Sequence, residues 1–372
     1  MPPFLKSIAS MFKHKGRSLG IDIGTASIKV VEIEKVDERV VLKNYGEIAL
    51  GPRAGVSVGQ ATSLAPDKIA GALKDLLVEA GITPQHTLFA IPLSSSLLSV
   101  IELPDVSKRE LESMIPLEAR RYIPIPLNEV SLDWWVLPKL APQQKIPTPE
   151  GEPKIVGKIE VIIAALHTDV LEKYQTIKQF AHMAGDASHY EIEIFSNIRG
   201  VVGRSLDATL VIDMGASSAK LALVDKGVVR GSHMISNGAQ EITNALARSL
   251  SISFDKAEEM KCRTGVAGDY EGRDVLTVAQ IVLPNLIDEA TRFAQNYEHK
   301  YETKIKKVIL VGGGARLKGI EKIVAKSFPD ASVTVGDPFS RVETLPSLAP
   351  LLKKIGPSFG VALGVALRGL EE

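Results

Sequence analysis

GIDIGTASIKVVEIEK (Gly20–Lys35) and VIDMGASSAKLALVDK (Val211–Lys226) are one pattern written twice. Each is an apolar run, then Asp-x-Gly, a turn of small residues, and a Ser and a Lys at fixed offsets. Asp22, Gly24, Ser27 and Lys29 answer to Asp213, Gly215, Ser218 and Lys220. Leu19, Ile21 and Ile23 before the first turn, and Ile28, Val30, Val31 and Ile33 after it, predict two strands joined by a tight bend. Such a bend points backbone N–H groups into a concavity that cradles phosphate oxygens. Glycine at 24 and 215 lets the chain bend and the phosphate come close. Thr25, Ala216 and Ser217 fill the bends, and Ser27 and Ser218 add hydroxyl donors. Lys29 reaches the outer phosphates as a point charge. Lys220 is the weaker expectation, because a lysine on a strand face is usually solvated.

The aspartates have a different task. A carboxylate aimed at a triphosphate is repelled unless a divalent cation lies between them. Mg²⁺ keeps several waters and is held by one or two carboxylates plus phosphates, so Asp22 and Asp213 are the expected metal ligands. One Asp-x-Gly is a common turn. Two copies matching at four offsets predict a clamp in which each half of the chain supplies half of one phosphate site.

The rest of the composition narrows the class. A chain of 372 residues predicts two domains or two multi-part lobes. Lys plus Arg equals Asp plus Glu at 44 each, so no global field favours nucleic acid. Cys262 is the single cysteine, which excludes an intramolecular disulfide and a cysteine-based zinc site and fits a reducing compartment. It is expected to be a packed thiol. No apolar run approaches the length of a membrane span. The leader of residues 1–17 is not a signal peptide, since Lys6 and Ser7 break its apolar part. It reads as an arm that docks on its own protein, with an amphipathic surface helix as the alternative.

Strands and helices alternate in both halves, which predicts α/β lobes. The stretch from His86 to Pro104 reads as strand. Ser107 and Glu110 form a capping-box pattern opening a helix whose apolar face is Leu111, Met114 and Ile115. Pro116 is a kink or restart, and Pro124 and Pro126 an end. VSLDWWVL and KIEVIIAAL read as strands around a Pro- and Lys-rich connection. TDVLEKYQTIKQFAHMAG reads as a helix stopped at Gly185. FGVALGVALR carries Gly360 and Gly364 on one side, which predicts close approach to another helix.

Three further elements bear on a ligand. VILVGGG places Gly312, Gly313 and Gly314 after a strand, followed by Arg316, and suits close approach of backbone to a nucleoside. KAEEMK brings Glu258 for a ribose hydroxyl and Lys261 near a base, the alternative being a solvated helix face. The seven histidines show no metal spacing, and His182 and His189 read as surface residues. Glu193 is the one candidate for orienting a catalytic water, against a buried or capping carboxylate.

In this order, DIGTASIK, DMGASSAK, AEEMK, VGGGARLKGI and FGVALGVALR resemble the actin-like ATPase superfamily over nearly the whole chain. The resemblance implies an α/β, two-lobed actin-like ATPase fold of ribonuclease-H-like lobes, with ATP and Mg²⁺ as cofactors. The motifs then stand for first phosphate loop, second phosphate loop, ribose-contacting helix, adenosine loop and a lobe-connecting helix, with FSNIRGVVG as the other connecting helix. Within the superfamily, ELESMIPLEARRYIPIPLNEVSLDWWVL resembles the PilM family of type IV pilus assembly proteins, which carry Glu-Ala before Tyr-Ile-Pro-x-Pro. That implies an inserted SHS2-like subdomain 1C at 90–165, of the kind shared with the division protein FtsA. Subdomain 1A then takes 18–89 and 166–207, subdomain 2A takes 208–245 and 305–372, and subdomain 2B takes 246–304.

The family resemblance implies a cytoplasmic adaptor at the inner face of the plasma membrane. It would capture the N-terminal tail of a PilN-like membrane protein in a groove between 1A and 1C, with self-association left open. Two alternatives compete. An FtsA-like division scaffold would carry a C-terminal amphipathic helix, whereas this sequence ends at ALRGLEE directly after the connecting helix. A small-molecule kinase of the same fold would need an insertion of another type. No residue matches the water-positioning glutamine of actins, and Ala216 and Ser217 stand where many relatives have glycine. Slow hydrolysis, or nucleotide as structural glue, is the expectation.

Overall fold

The computed structural model describes residues 16–139, 157–183, 189–266, 269–270 and 273–371. The leader up to residue 15, the Pro- and Lys-rich connection at 140–156 and the helix stop at Gly185 fall outside them. Contacts divide the described residues into two compact units, one of 94–172 and one of 16–93 with 173–371.

The larger unit begins with the quoted pattern. Strands β1 (Arg17–Ile23), β2 (Ser27–Val36) and β3 (Arg39–Ala49) form an antiparallel meander. Helix α1 (Pro66–Glu79) follows and buries Ile69, Leu73 and Leu76. Pro66 suits its first turn, where no N–H is needed, and Gly81 at φ +65° lets the chain leave it. β4 (Thr87–Ile91) then pairs parallel with β1. The strand expected from His86 to Pro104 is in fact two, because a turn of 3-10 helix at Leu93–Ser95 breaks it where the chain passes into the other unit.

That smaller unit holds β5 (Ser96–Pro104), α2 (Lys108–Ala119), β6 (Val130–Val136) and β7 (Lys158–His167). The three strands form an antiparallel sheet in the order β5-β7-β6. Ile101, Leu103, Val161 and Ile163 meet Leu111, Ile115 and Ala119 of α2 in its core. The capping box is present, with Glu110 bonded to the Ser107 N–H at 2.9 Å. Pro116 stays inside the helix, since the carbonyl it strands belongs to the solvent-exposed Glu112. The helix stops at Ala119, ahead of Pro124, because the chain turns there to bury Ile123.

α3 (Thr168–Phe180) leads back into the larger unit, ending earlier than expected where His182 takes φ +52°. β8 (His189–Ile192) joins β4 and completes a sheet in the order β3-β2-β1-β4-β8. α4 (Glu193–Val201) follows directly. The second half repeats the scheme with β9 (Thr209–Met214), β10 (Ala219–Asp225), β11 (Val228–Ile235), α5 (Gln240–Leu250) and α6 (Phe254–Thr264). A two-residue hairpin, β12 (Asp269–Tyr270) with β13 (Arg273–Asp274), precedes α7 (Val275–Tyr301). β14 (Lys307–Val311), α8 (Ile320–Ser327), β15 (Ser332–Val335), α9 (Ala349–Ile355) and α10 (Gly360–Gly369) complete the chain. The second sheet runs β11-β10-β9-β14-β15, the same topology as the first, with two antiparallel pairs and then two parallel ones. The sequence repeat is therefore a repeat of whole lobes.

α4 and α10 pack backbone to backbone. A Cβ on Gly364 would strike the Ser196 carbonyl oxygen, and one on Gly200 would strike that of Gly360. On its other side α10 buries Ala362, Leu363 and Ala366 against Val31, Ile33 and Phe359. Gly364→Ala is expected to cost about 1–3 kcal/mol by overpacking this contact. Gly71→Ala on α1, where a Cβ meets nothing within 4 Å, is expected to stabilise by about 0.5–1 kcal/mol. Urea denaturation of the two variants tests the contrast.

Candidate functional site

The two repeated turns place their charges by strand register. Asp22 lies opposite Lys29 across β1 and β2, and Asp213 lies opposite Lys220 across β9 and β10. Residues directly opposite in an antiparallel pair project from the same face. Each seven-residue spacing in the sequence therefore becomes a carboxylate beside an ammonium group. The turns face each other within the larger unit. Thr25 Oγ1 donates to Ser217 Oγ at 3.1 Å, and the Ala61 N–H donates to Gln240 Oε1 at 2.6 Å.

The turn carbonyls are engaged from behind. Leu50 and Thr62 donate N–H groups to Ala26 and Thr25, and Ala239 and Gln240 donate to Gly215 and Ala216. The Gly24 N–H closes the first bend on the Ser27 carbonyl at 3.0 Å. A Cβ on Gly24 would lie 3.2 Å from the Ser27 carbonyl oxygen and one on Gly215 2.9 Å from that of Ser218, so glycine is what lets each bend close. Ser27 Oγ donates to Glu47 at 2.7 Å and accepts from Lys29 at 2.7 Å. Ser218, the matching residue, sits at the same place in the second turn.

Lys29 also lies 3.3 Å from Glu47 on β3. Burial raises the Glu47 carboxyl, but Lys29, the Ser27 hydroxyl and Arg316 outweigh it and hold the group below the usual range. Lys220 departs from the solvated expectation. It is largely buried and pairs with Glu193 at 3.0 Å. Burial alone would lower its pKa, yet the carboxylates of Glu193, Asp213 and Asp22 raise it above the usual lysine value. Glu193, first residue of α4, is buried and accepts the Leu93 N–H at 2.7 Å with its other oxygen. Asp213 accepts from Asn197 Nδ2 at 3.1 Å.

Burial raises Asp213, with Lys220 opposing and Glu193 adding. Asp22 is pushed up to about 6, first by burial and then by Glu193 and Asp213, against Lys29 and Lys220. Two neighbouring carboxylates held reluctantly ionised are suited to a cation. Among the described residues no group of three or more His, Cys, Asp or Glu is placed to hold a metal by itself. A cation between Asp22 and Asp213 would therefore take further oxygens from water and from phosphate.

The glycine triplet after β14 closes the site. Gly312 has φ +82°, and a Cβ there would strike Asp213 Oδ1. A Cβ on Gly314 would lie 2.7 Å from Met214 Cβ. Gly313 differs: a Cβ meets no atom within 4 Å, so this position faces open space. Arg316 is exposed and close enough for its charge to act on Glu47 and Cys262.

On α6, Lys261 is buried, 2.6 Å from Glu258 Oε2 and 2.8 Å from Thr243 Oγ1, and Thr243 donates to the same Glu258 oxygen at 2.6 Å. The pair is a network anchored on α5 rather than a solvated helix face. Cys262 is exposed rather than packed, its Sγ 3.4 Å from Glu258 Oε1, because Ala257, Met260 and Lys261 form the buried face of α6. His182 is exposed as expected, while the ring of His189 lies edge-on to His86 at 5.7 Å. Sequence reading missed Asn197 and Glu47. Asn197 carried a signal, being four residues after Glu193 and so on the same face of the helix. Glu47 carried none, since only the β2–β3 register sets it opposite Lys29.

Residues 20–370 match the family described as type IV pilus assembly protein PilM. The fold is similar to that of a solved PilM-PilN type IV pilus biogenesis complex, at 24% identity over 95% of this chain and 99% of that one, with a TM-score of 0.75. It is similar also to the ethanolamine utilization protein EutJ from Carboxydothermus hydrogenoformans, at 16% identity over 98% and 94% of the two chains, TM-score 0.51. MreB 5 of Spiroplasma citri, solved bound to AMPPNP, matches at 14% identity over 95% and 96%, TM-score 0.51. These likenesses show an α/β, two-lobed actin-like fold.

Ionised Asp22 has a stability signature. Its pKa in the folded chain lies above the unfolded value, so its favourable contribution is complete below about pH 4 and is lost as pH rises through 6. Asp22→Asn is expected to stabilise the metal-free protein at pH 7 by about 1–2 kcal/mol and to leave it unchanged at pH 4. Urea denaturation of both proteins at the two pH values, without divalent cations, measures the difference.

Proposed function

The chain belongs to the PilM family of type IV pilus assembly proteins, and from that premise we propose that it is an ATP-binding adaptor of pilus assembly. In this reading Mg·ATP is gripped between the two repeated turns. The triphosphate meets the turn amides of Thr25–Ser27 and Ala216–Ser218 together with Lys29. The cation sits with Asp22 and Asp213. Gly312–Gly314 admit the nucleoside, and Glu258, Lys261 and Arg316 line its far side. The observation that carries this half is the doubled register, Asp22 opposite Lys29 and Asp213 opposite Lys220, on turns whose tips touch.

The second half of the reading is the partner. The similar PilM-PilN complex supports capture of the N-terminal tail of a PilN-like inner-membrane protein, with 90–165 acting as the 1C subdomain. In the same reading subdomain 1A takes 18–89 and 166–207, 2A takes 208–245 and 305–372, and 2B takes 246–304. Among the described residues no helix is long and apolar enough to cross a membrane, so a place at the inner face of the plasma membrane would come through that partner. Hydrolysis is slow in this reading, because no residue of the chain matches the water-positioning glutamine of actins.

Asp22→Ala is expected to abolish Mg-dependent ATP binding while circular dichroism shows the fold retained. Unchanged affinity in calorimetry would refute the cation assignment. Gly313→Val fills open space and is expected to weaken ATP by about tenfold or more, roughly 1.4 kcal/mol, with little change in stability. Replacing 94–172 by a Gly-Ser linker is expected to abolish capture of the tail peptide in a pull-down and to spare ATP.

A further inference from the structure

The chain leaves the larger unit at Leu93 and re-enters it along α3 at Lys173. Both crossing points lie against the carboxylate cluster. Leu93 is buried, and its N–H donates to Glu193 Oε1 at 2.7 Å. The other oxygen of the same carboxylate holds the Lys220 ammonium at 3.0 Å. On the return path Tyr174 is buried, with ring centroids 5.8 Å from Phe89 and 6.1 Å from Tyr190. Burial raises its phenol, and the charges of Asp22 and Glu193 raise it further. Glu193 thus joins the second sheet, through Lys220 on β10, to the last residue before the inserted unit. Lys29 has its own partners in Ser27 and Glu47, so Lys220 is the ammonium that Glu193 depends on.

We propose that Glu193 is a positioning residue that transmits nucleotide occupancy to Leu93, where the chain enters the inserted unit, with Lys220 as the moving part. The proposal rests on the reading of Asp22 and Asp213 as the metal–phosphate site. A triphosphate offers the ammonium more negative charge than one carboxylate does, in the same pocket. When Lys220 turns to it, Glu193 becomes a buried carboxylate without a cation. The Leu93 N–H then has an ionised acceptor that no ammonium shares, and that bond tightens. Whatever the inserted unit binds is linked to the nucleotide by the same free energy, and the linkage is reciprocal.

Hydrogen exchange read by mass spectrometry on the full chain tests this, with and without a saturating non-hydrolysable ATP analogue and Mg²⁺. In the wild type, peptides carrying the Leu93 amide are expected to exchange about fivefold more slowly with nucleotide, because the Glu193 carboxylate is then no longer shared with an ammonium. Lys220→Met is expected to show the slowed rate already without nucleotide and no further change with it. The double variant Glu193→Gln with Lys220→Met removes both buried charges together and protects the fold. It is expected to show no nucleotide response at Leu93, while calorimetry detects weaker but saturable binding, since Lys29 remains at the site. Unchanged or faster exchange in the nucleotide-bound wild type overturns the relay, as does a full response in the double variant. Failure of the wild type to bind the analogue in calorimetry overturns the nucleotide reading itself, and is recognised before any exchange is compared.

Discussion

Asp22, Asp213 and Glu193 share the space between the two sheets with two ammonium groups, and one of these, Lys29, divides its charge with Glu47. Carboxylates in such surroundings cost free energy unless a cation neutralises them. Burial pushes Asp22 and Asp213 upward, Glu193 adds to both, and Asp213 adds to Asp22. The apo site is therefore held in a state that a divalent cation would relieve. The fold tolerates it because the carboxylates come from the ends of central strands, where register leaves them no room to turn away.

The second requirement is rigidity behind that charge. α4 and α10 meet through Gly200, Gly360 and Gly364, close enough that no side chain fits between them. α4 is also tied by the Arg199 guanidinium to both oxygens of Glu191, at 2.6 and 2.9 Å, and to the Gly364 carbonyl at 3.3 Å. A helix so fixed can hold Glu193 and Asn197 in place against Lys220 and Asp213. The site thus draws on both sheets and on α4, through Glu193 with Lys220 and Asn197 with Asp213.

In an adaptor, that arrangement has a use. Leu93, the last residue before 94–172, donates its N–H to the Glu193 carboxylate. Lys220, which lies on a strand face in the sequence, becomes a bond between lobes. In the proposed reading, nucleotide and partner draw on one set of interactions without any need for turnover.

Much of this was legible in the sequence. The doubled Asp-x-Gly pattern announced two equivalent lobes, and their matching sheet orders bear that out, because local turn chemistry and a period of two are properties of short segments. The glycines at 360 and 364 announced a close helix contact, and the capping box at Ser107 marked where α2 begins. Local signals failed where distant groups compete. The strand through His86–Pro104 is split by the passage between units, Cys262 faces outward because α6 buries its other side, and Lys220 is paired rather than solvated. Asp22 with Lys29 and Asp213 with Lys220 were set by the order of residues alone, since seven positions around a tight bend leave one register. That Glu193 meets Lys220 and Leu93, and that Glu47 meets Lys29, was decided only in three dimensions. Those contacts join elements far apart in the chain, and electrostatics between such elements depends on distance and burial, which no local spacing encodes.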